Sequence, residues 1–294
     1  MAPFRLAHLS DPHLPWDRPR GREVLGKRGF SLVNWMRRRR QEHREEVATA
    51  LSAHLLSAAP DLIALTGDVI NFGLAREFRA AREWFESLAS PEKLLVIPGN
   101  HEAMAGQWHQ AMIDAWGPYA MALPRMTRHD SAGLALIQLS TAIATPVGFA
   151  SGRLGDLDLS AALLSEARHA GQCPVVLMHH PPTSITSARR GLRNGADARD
   201  ALADAALVLH GHTHRAELSY FDGTYGRIPV LGVPSFSMAP GARHPPGAWR
   251  MIEIDTVALR ATVTEYAISI DGNVTPRTPF AIALPCPPPG DRPH

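Results

Sequence analysis

Short apolar segments recur along the first two-thirds of the 294-residue chain, and amphipathic segments separate them. Each apolar segment is rich in Leu, Ile or Val and has the length of a β-strand. They occupy residues 4–10, 61–67, 93–99, 134–140, 174–180 and 206–212. Residues 43–58, 75–89, 107–116 and 157–170 carry apolar residues three and four positions apart, as amphipathic helices do. Strands that alternate with helices predict an α/β fold in which the helices cover the faces of a sheet.

The pattern changes after His214. The segments AELSYFDG, GRIPVLGV, WRMIEIDT and LRATVTEYAI are strand-like and have no helical pattern between them. Turn residues stand at Asp222-Gly223 and Asp255-Thr256. We therefore predict a second sheet, mixed or antiparallel, in this part of the chain. The proline-rich residues 285–294 are predicted to form a loose tail, so the globular domain is expected to span residues 1–284.

Charge and cysteine content limit the partners and the compartment. The net charge is only +2, and the chain lacks a long basic stripe with interleaved aromatic residues, so a nucleic-acid partner is not expected. Cys173 and Cys286 lie far apart without a CxxC pattern, which suits a reducing compartment. The opening residues do not resemble a signal peptide, and no segment approaches about 18 consecutive apolar residues. These features predict a cytoplasmic protein without a transmembrane span.

Polar side chains that can bind metal or phosphate follow five of the apolar segments. They are Asp11 and His13 in SDPH, Asp68 and Asn71 in GDVIN, Asn100, His101 and Glu102 in GNHE, His179 and His180 in MHHPP, and His212 and His214 in GHTH. In open α/β sheets, ligands bind at the carboxyl ends of the strands, so five such ends can converge on one crevice. Each motif alone is a weak signal. All five in this order predict a single binding site.

This set of motifs resembles the calcineurin-like metallophosphoesterase superfamily, whose pattern is D-x-H, GD, GNH[DE], H and GHxH. The motifs extend over roughly residues 4 to 215, and no ligand position is missing. GNHE followed by HHPP and GHTH is most similar to the small bacterial phosphodiesterases of the class III cyclic-nucleotide type. The resemblance implies a four-layer α/β/β/α sandwich of two mixed sheets with flanking helices, with metals at the sheet ends.

The resemblance also implies the roles of the polar residues. The first metal would be bound by Asp11, His13, Asp68 and His214, and the second by Asp68, Asn100, His179 and His212, with Asp68 bridging. His101 would face the scissile phosphate, stabilise its charge and protonate the departing oxygen. Oxygen and imidazole ligands without thiolate suit two divalent ions such as Mn²⁺, Fe²⁺, Zn²⁺ or Co²⁺.

Several neighbouring polar residues have simpler interpretations. His8, His180 and His210 are expected to be packed, hydrogen-bonded histidines. Glu102 is expected to be a structural partner of its turn, and Asn71 a turn former.

A basic insertion lies at about residues 17–42. Phe30, Val33 and Trp35-Met36 could form an apolar stripe, and Arg37 to Arg40 follow it. Three interpretations remain open: a surface helix with a solvated basic end, a lid that helps to hold an anionic or partly apolar substrate, or a membrane-interface contact through residues 27–40.

The function expected from these motifs is hydrolysis of a small phosphodiester by a metal-bridging hydroxide, with cyclic nucleotides or glycerophosphodiesters as the first substrates to consider. One alternative is a UDP-diacylglucosamine-type pyrophosphohydrolase that acts on a lipid-linked substrate at the inner face of the membrane. Another is a catalytically inactive scaffold on the same fold. A homo-oligomer is a further expectation.

Overall fold

Thirteen strands form two sheets in the computed structural model, which describes residues 2–14, 18–104, 106–120, 122–183 and 187–286. The strands are β1 (Phe4–Leu9), β2 (Leu62–Leu65), β3 (Leu94–Val96), β4 (Arg125–His129), β5 (Leu134–Gln138), β6 (Cys173–Leu177), β7 (Leu207–His210), β8 (Leu218–Gly223), β9 (Gly226–Gly232), β10 (Ala248–Asp255), β11 (Arg260–Ile268), β12 (Val274–Pro276) and β13 (Phe280–Ala283). All six strands predicted from the apolar segments are present.

Both sheets are mixed. The first has the order β12-β11-β10-β1-β2-β3, with β13 also paired to β11, and the second has the order β4-β5-β6-β7-β9-β8. Strands β1, β2 and β3 are parallel, whereas β10 runs antiparallel to β1. The prediction of a separate second sheet after His214 is therefore wrong. Strands β8 and β9 extend the second sheet and β10 to β13 extend the first, because strand pairing depends on contacts between distant segments of the chain.

Seven α-helices accompany the strands in the described ranges. They are α1 (Lys27–Asn34), α2 (Arg40–Glu42), α3 (Glu45–Ser57), α4 (Ala75–Leu88), α5 (Trp108–Trp116), α6 (Leu157–His169) and α7 (Gly195–Ala201). The four predicted helices correspond to α3, α4, α5 and α6. Asp156 begins α6, because its carboxylate accepts a hydrogen bond from the backbone N–H of Leu159.

The apolar side chains form three layers of core. Phe78, Phe85 and Trp116 pack helices α4 and α5 on the outer face of the first sheet, and α3 joins the same cluster. A second cluster, which includes Leu6 and Leu209, lies between the two sheets. A third packs α6 and α7 on the outer face of the second sheet. The predicted four-layer α/β/β/α sandwich is confirmed.

The basic insertion folds as α1, a π-helical turn at Trp35–Arg39 and α2. Trp35 is buried, and its ring lies 6.1 Å from that of Phe72, centroid to centroid. By contrast, Phe30, Val33 and Met36 are 50%, 40% and 45% exposed. The three exposed side chains, spaced three residues apart, form an apolar stripe as the sequence predicts, whereas Trp35 does not belong to it because its ring faces the body.

Two further expectations concern membrane-spanning segments and the ends of the insertion and the tail. No helix within the described ranges is long and apolar enough to cross a bilayer. Asp17, at the start of the insertion, and residues 287–294 of the expected tail lie outside the described residues.

Candidate metal centre

The polar motifs meet where the parallel strands of the two sheets end. The residues follow β1 (Asp11 and His13), β2 (Asp68), β3 (Asn100 and His101), β6 (His179) and β7 (His212 and His214). In the first sheet these are the adjacent parallel strands β1, β2 and β3, and in the second they are the adjacent parallel strands β6 and β7, so the residues that follow them emerge side by side. Residues from five distant segments of the chain thus share one buried site.

Asp11, His13 and His214 form one half of the site. The Nε2 atoms of His13 and His214 are 3.3 Å apart. Asp11 Oδ1 lies 3.2 Å from His214 Nε2 and 3.8 Å from His13 Nε2. These two imidazole nitrogens and the carboxylate oxygen surround a common position, which a cation can occupy.

Asp68 connects the two halves. Its Oδ2 atom lies 3.3 Å from His179 Nε2 and 3.8 Å from His13 Nε2. His179 Nδ1 donates a hydrogen bond to the Thr66 carbonyl at 2.7 Å, which directs its Nε2 atom towards Asp68. One carboxylate oxygen therefore lies between an imidazole of each half.

His212 and Asn100 complete the second half. His212 Nε2 donates to the Arg190 carbonyl at 2.8 Å, so its lone pair is on Nδ1. The ring centroid of His212 is 5.2 Å from that of His179. The Oδ1 atom of Asn100 is buried and has no hydrogen-bond partner among the residues that the structure describes. A buried amide oxygen without a partner is costly unless a ligand binds it.

Electrostatics favour positive charge in this site. Burial opposes ionisation of Asp68, but His179, His101 and His13 together outweigh it and hold the pKa of Asp68 well below its usual range. The pKa of Asp11 shifts in the same direction. Burial raises it, His214 lowers it, and the net shift is downward. Burial also opposes a charged His179, yet Asp68 raises the pKa of His179 to about 9. A bound metal would take the place of this proton.

The backbone is strained at the same residues. Five of the seven predicted ligands have a positive φ angle: 52° at Asp11, 41° at His13, 51° at Asp68, 66° at His212 and 54° at His214. Residues other than glycine in this region cost about 1–3 kcal/mol each and cluster at functional sites. The fold therefore holds these side chains in place at the expense of local stability.

Glu102 supports the turn that carries Asp68. Its carboxylate accepts hydrogen bonds from the backbone N–H groups of Gly99 (2.6 Å), Asp68 (3.0 Å), Val69 (2.8 Å) and Ile70 (3.1 Å). Gly99 permits this close approach, because a Cβ atom there would lie 2.6 Å from the backbone nitrogen of Asp68. Glu102 thus has the structural position that the sequence predicts.

His101 lies beside the ligand cluster. Its Nδ1 atom donates to the Asn71 carbonyl at 2.7 Å, and its Nε2 atom accepts from Arg39 Nη1 at 2.6 Å. Its ring is 4.7 Å from that of His13, centroid to centroid. Burial and the guanidinium of Arg39 lower the pKa of His101 to about 3. In this geometry Nε2 is an acceptor, so a proton would reach it only after Arg39 turned to another partner.

His43 and Arg39 are site residues that the sequence patterns do not identify. The ring of His43 is 4.7 Å from that of His13 and 5.6 Å from that of His214. Its Nδ1 atom lies 2.9 Å from the hydroxyl of Ser237. Both residues belong to the end of the insertion, where no strand precedes them. The only signal was the arginine run itself.

His8, His180 and His210, which the sequence predicts to be packed, are buried and hydrogen-bonded. His180 places Nδ1 2.8 Å from the Thr141 hydroxyl and donates from Nε2 to the Ala150 carbonyl at 3.1 Å. The Nε2 atom of His8 lies 3.0 Å from the Thr66 hydroxyl. His210 Nδ1 donates to the Gly211 carbonyl at 2.8 Å. These contacts agree with a packed position, although His180 also lies in one candidate ligand group with His179 and His212.

Known proteins share this sequence pattern and fold. Residues 4–216 match the family described as calcineurin-like phosphoesterase. The chain is similar to a probable cyclic nucleotide phosphodiesterase from Synechococcus sp., with 30% identity over 217 residues that cover 71% of this chain and 77% of the relative. It is also similar to the glycerophosphodiester phosphodiesterase GpdQ from Enterobacter lignolyticus, with 30% identity over 238 residues that cover 76% of each chain.

Among solved structures, a dimetal phosphatase from Danio rerio superposes with a TM-score of 0.62 at 12% identity, over 97% of this chain and 100% of the other. This likeness confirms the fold. Members of the matched family use divalent metal ions, and the His and Asp groups described above are candidate ligands. The chain belongs to the calcineurin-like phosphoesterase family and is a phosphoric ester hydrolase.

Proposed function

We propose that the chain is a dinuclear, metal-dependent phosphodiesterase that acts on a small diester. The observation that carries the proposal is the position of Asp68 Oδ2, 3.8 Å from His13 Nε2 and 3.3 Å from His179 Nε2. A carboxylate between two imidazole groups is the arrangement that a bridging ligand requires. The relatives whose names specify cyclic nucleotides and glycerophosphodiesters support these two diester classes as first candidates.

The donor set fits two divalent ions. Asp11, His13, Asp68 and His214 would hold one ion, and Asp68, Asn100, His179 and His212 the other. The candidate ligand groups among the described residues contain carboxylate and imidazole donors and no cysteine, which suits Mn²⁺, Fe²⁺, Zn²⁺ or Co²⁺. The partnerless Oδ1 atom of Asn100 supports this fit independently. The chemistry that two such ions supply is neutralisation of the diester charge and activation of a water nucleophile.

The chain's own residues orient the reaction. Thr66 fixes the ring of His179 through a hydrogen bond of 2.7 Å, and Glu102 fixes the turn of Asp68. His101 lies at the edge of the ligand cluster, where its Nε2 atom can contact the departing oxygen. Protonation of that oxygen requires a proton on Nε2, which the neutral ring would take up from water after Arg39 is released from it.

Replacing His101 with alanine should leave the metal content unchanged and lower turnover by about 10²- to 10⁴-fold, the usual contribution of an acid–base group. Metal analysis and hydrolysis of bis-p-nitrophenyl phosphate measure the two quantities. His109→Ala, at an exposed histidine of α5, is the matched control and should change neither. A loss of metal from His101→Ala as large as that from Asp68→Ala would make His101 a structural residue instead.

The proposal as a whole has a simple test. The purified, Mn²⁺-loaded protein should contain two ions per chain and release nitrophenol from bis-p-nitrophenyl phosphate in a metal-dependent manner. An inactive scaffold on the same fold would show neither property. Protein that retains its fold but neither binds manganese nor turns over the diester would overturn the proposal.

A second candidate is a pyrophosphohydrolase of the UDP-diacylglucosamine type. The observation that favours it is the exposed apolar row of Phe30, Val33 and Met36 beside the exposed Arg37 and Arg40. Apolar and basic side chains together are suited to contact an anionic lipid surface, which in this candidate is the inner face of the membrane. Assays of the Mn²⁺-loaded protein on cyclic nucleotides, glycerophosphodiesters and UDP-linked lipids separate the candidates, because only the second requires the lipid substrate to be hydrolysed fastest.

A further inference from the structure

One arginine of the basic insertion, Arg39, lies beside the candidate metal centre. Arg39 is the last residue of the π-helical turn, and its Nη1 atom lies 2.6 Å from His101 Nε2 and 3.4 Å from His101 Nδ1. The exposed Arg37 and Arg40 are its neighbours in the same arginine run, whereas Arg39 is partly buried. π-Helical turns occur frequently at functional sites, because the extra residue redirects a side chain.

The turn that carries Arg39 is held at both of its sides. Before it, Arg28 donates to the carbonyls of Phe72 and Gly73 at 3.0 and 2.7 Å, and Trp35 packs against Phe72. After it, the backbone N–H of Ala239 donates to the Glu42 carbonyl at 2.6 Å, and His43 Nδ1 lies 2.9 Å from the Ser237 hydroxyl. The position of Arg39 beside His101 is thus set by packing on both flanks.

The carboxylates of Asp68, Asp11 and Glu42 favour the charge of Arg39 from a distance. Within the described part of the chain, no carboxylate oxygen lies within 4.0 Å of its nitrogens, and His101 is the side chain with which it shares a hydrogen bond. A partly buried cation beside a neutral ring is poorly compensated. An anion placed next to His101 would compensate it. The planar fork of N–H groups in arginine matches two oxygens of a phosphate group.

We propose that Arg39 binds the substrate directly, by donating hydrogen bonds to a non-bridging oxygen of the scissile phosphate. The inference rests on the proposed function, which places that phosphate beside His101. When substrate binds, the N–H groups of Arg39 move from His101 Nε2 to the phosphate oxygen. His101 Nε2 is then free to face the departing oxygen. The insertion thereby contributes an anion-binding residue to the site.

The test compares inorganic phosphate binding to Mn²⁺-loaded wild type, Arg39→Ala, Arg39→Lys and Arg40→Ala by calorimetry. Arg39→Ala should keep the wild-type metal content and weaken phosphate binding by about ten- to a hundredfold, the usual effect of removing a hydrogen bond to a charged group. Arg39→Lys should recover part of the affinity because it keeps the charge. Arg40→Ala is the matched control from the same arginine run and should bind phosphate like wild type.

Two further measurements separate substrate binding from a structural role. With bis-p-nitrophenyl phosphate, Arg39→Ala should show a raised KM, and added guanidinium ions should restore part of its kcat/KM. A merely structural arginine would give no such rescue. The inference is overturned by phosphate binding in Arg39→Ala equal to wild type, by loss of its metal ions, or by a wild-type holoenzyme that does not bind phosphate.

A different result would contradict the proposed phosphodiesterase activity while leaving the Arg39 inference open to its own test. A wild-type protein that binds manganese and phosphate but hydrolyses no diester would contradict the phosphodiesterase proposal. The phosphate affinities of the Arg39 variants would still decide whether Arg39 binds the anion.

Discussion

Replacing Asp68 with alanine should abolish metal binding at both halves of the site and lower diester turnover by roughly 10³-fold or more, since the metals supply several kcal/mol of transition-state stabilisation. The expected effect is large because one oxygen of Asp68 lies between His13 and His179, so in the proposed dinuclear centre its loss would remove a ligand from each ion at once. Metal analysis after dialysis and hydrolysis of bis-p-nitrophenyl phosphate are the measurements.

The matched control for this change is Asp158→Ala, which removes an exposed carboxylate from the first turn of α6. It should keep both the metal content and the turnover of wild type. Circular dichroism checks that Asp68→Ala is folded, since Asp68 Oδ1 also accepts the backbone N–H of His101 at 2.8 Å. A folded Asp68→Ala protein that retains two ions would show that this carboxylate does not bridge.

Replacing Glu102 with alanine should lower the free energy of unfolding by about 3 kcal/mol or more, since each buried N–H group left without an acceptor costs about 1–3 kcal/mol. Four backbone N–H groups that now bond to the carboxylate, those of Gly99, Asp68, Val69 and Ile70, would be left buried without an acceptor. Urea unfolding of the metal-free protein measures the loss, so that changes in metal binding do not contribute.

Two controls accompany this prediction. Glu102→Gln keeps one acceptor oxygen, so its free energy of unfolding should lie between those of Glu102→Ala and wild type. Glu86→Ala removes an exposed carboxylate that pairs with Arg82 at 2.9 Å, and it should cost only about 0–1 kcal/mol. If Glu102→Ala and Glu86→Ala had equal free energies of unfolding, the carboxylate of Glu102 would not stabilise the turn that carries Asp68.

Local patterns were enough to predict the strands and helices that build the site. Each strand from β1 to β7, apart from β4, is a run of apolar residues, and the residues after five of these runs converge. Strand β4, with the sequence RMTRH, is polar and only partly buried, so it carries no apolar signal. Local patterns also cannot predict the order of strands in the sheets, because β1 pairs with β10 from the far end of the chain.

The parts of the site that the sequence did not predict come from the insertion. His43 and Arg39 lie in a segment without a preceding strand, and contacts such as those of Trp35 and Arg28 with the loop at Phe72 hold this segment beside the site. Those contacts join residues that are far apart in sequence. A periodic pattern reports which face of a helix is apolar, but it does not report what that face contacts.

The most direct test of the account is anomalous X-ray scattering from crystals of the manganese-loaded protein. If the proposed centre is dinuclear, we expect two manganese peaks about 3.5–4 Å apart, with the carboxylate of Asp68 between them and one oxygen in reach of both. A single peak, or two peaks that do not share Asp68, would contradict the dinuclear centre on which the proposed phosphodiesterase activity depends.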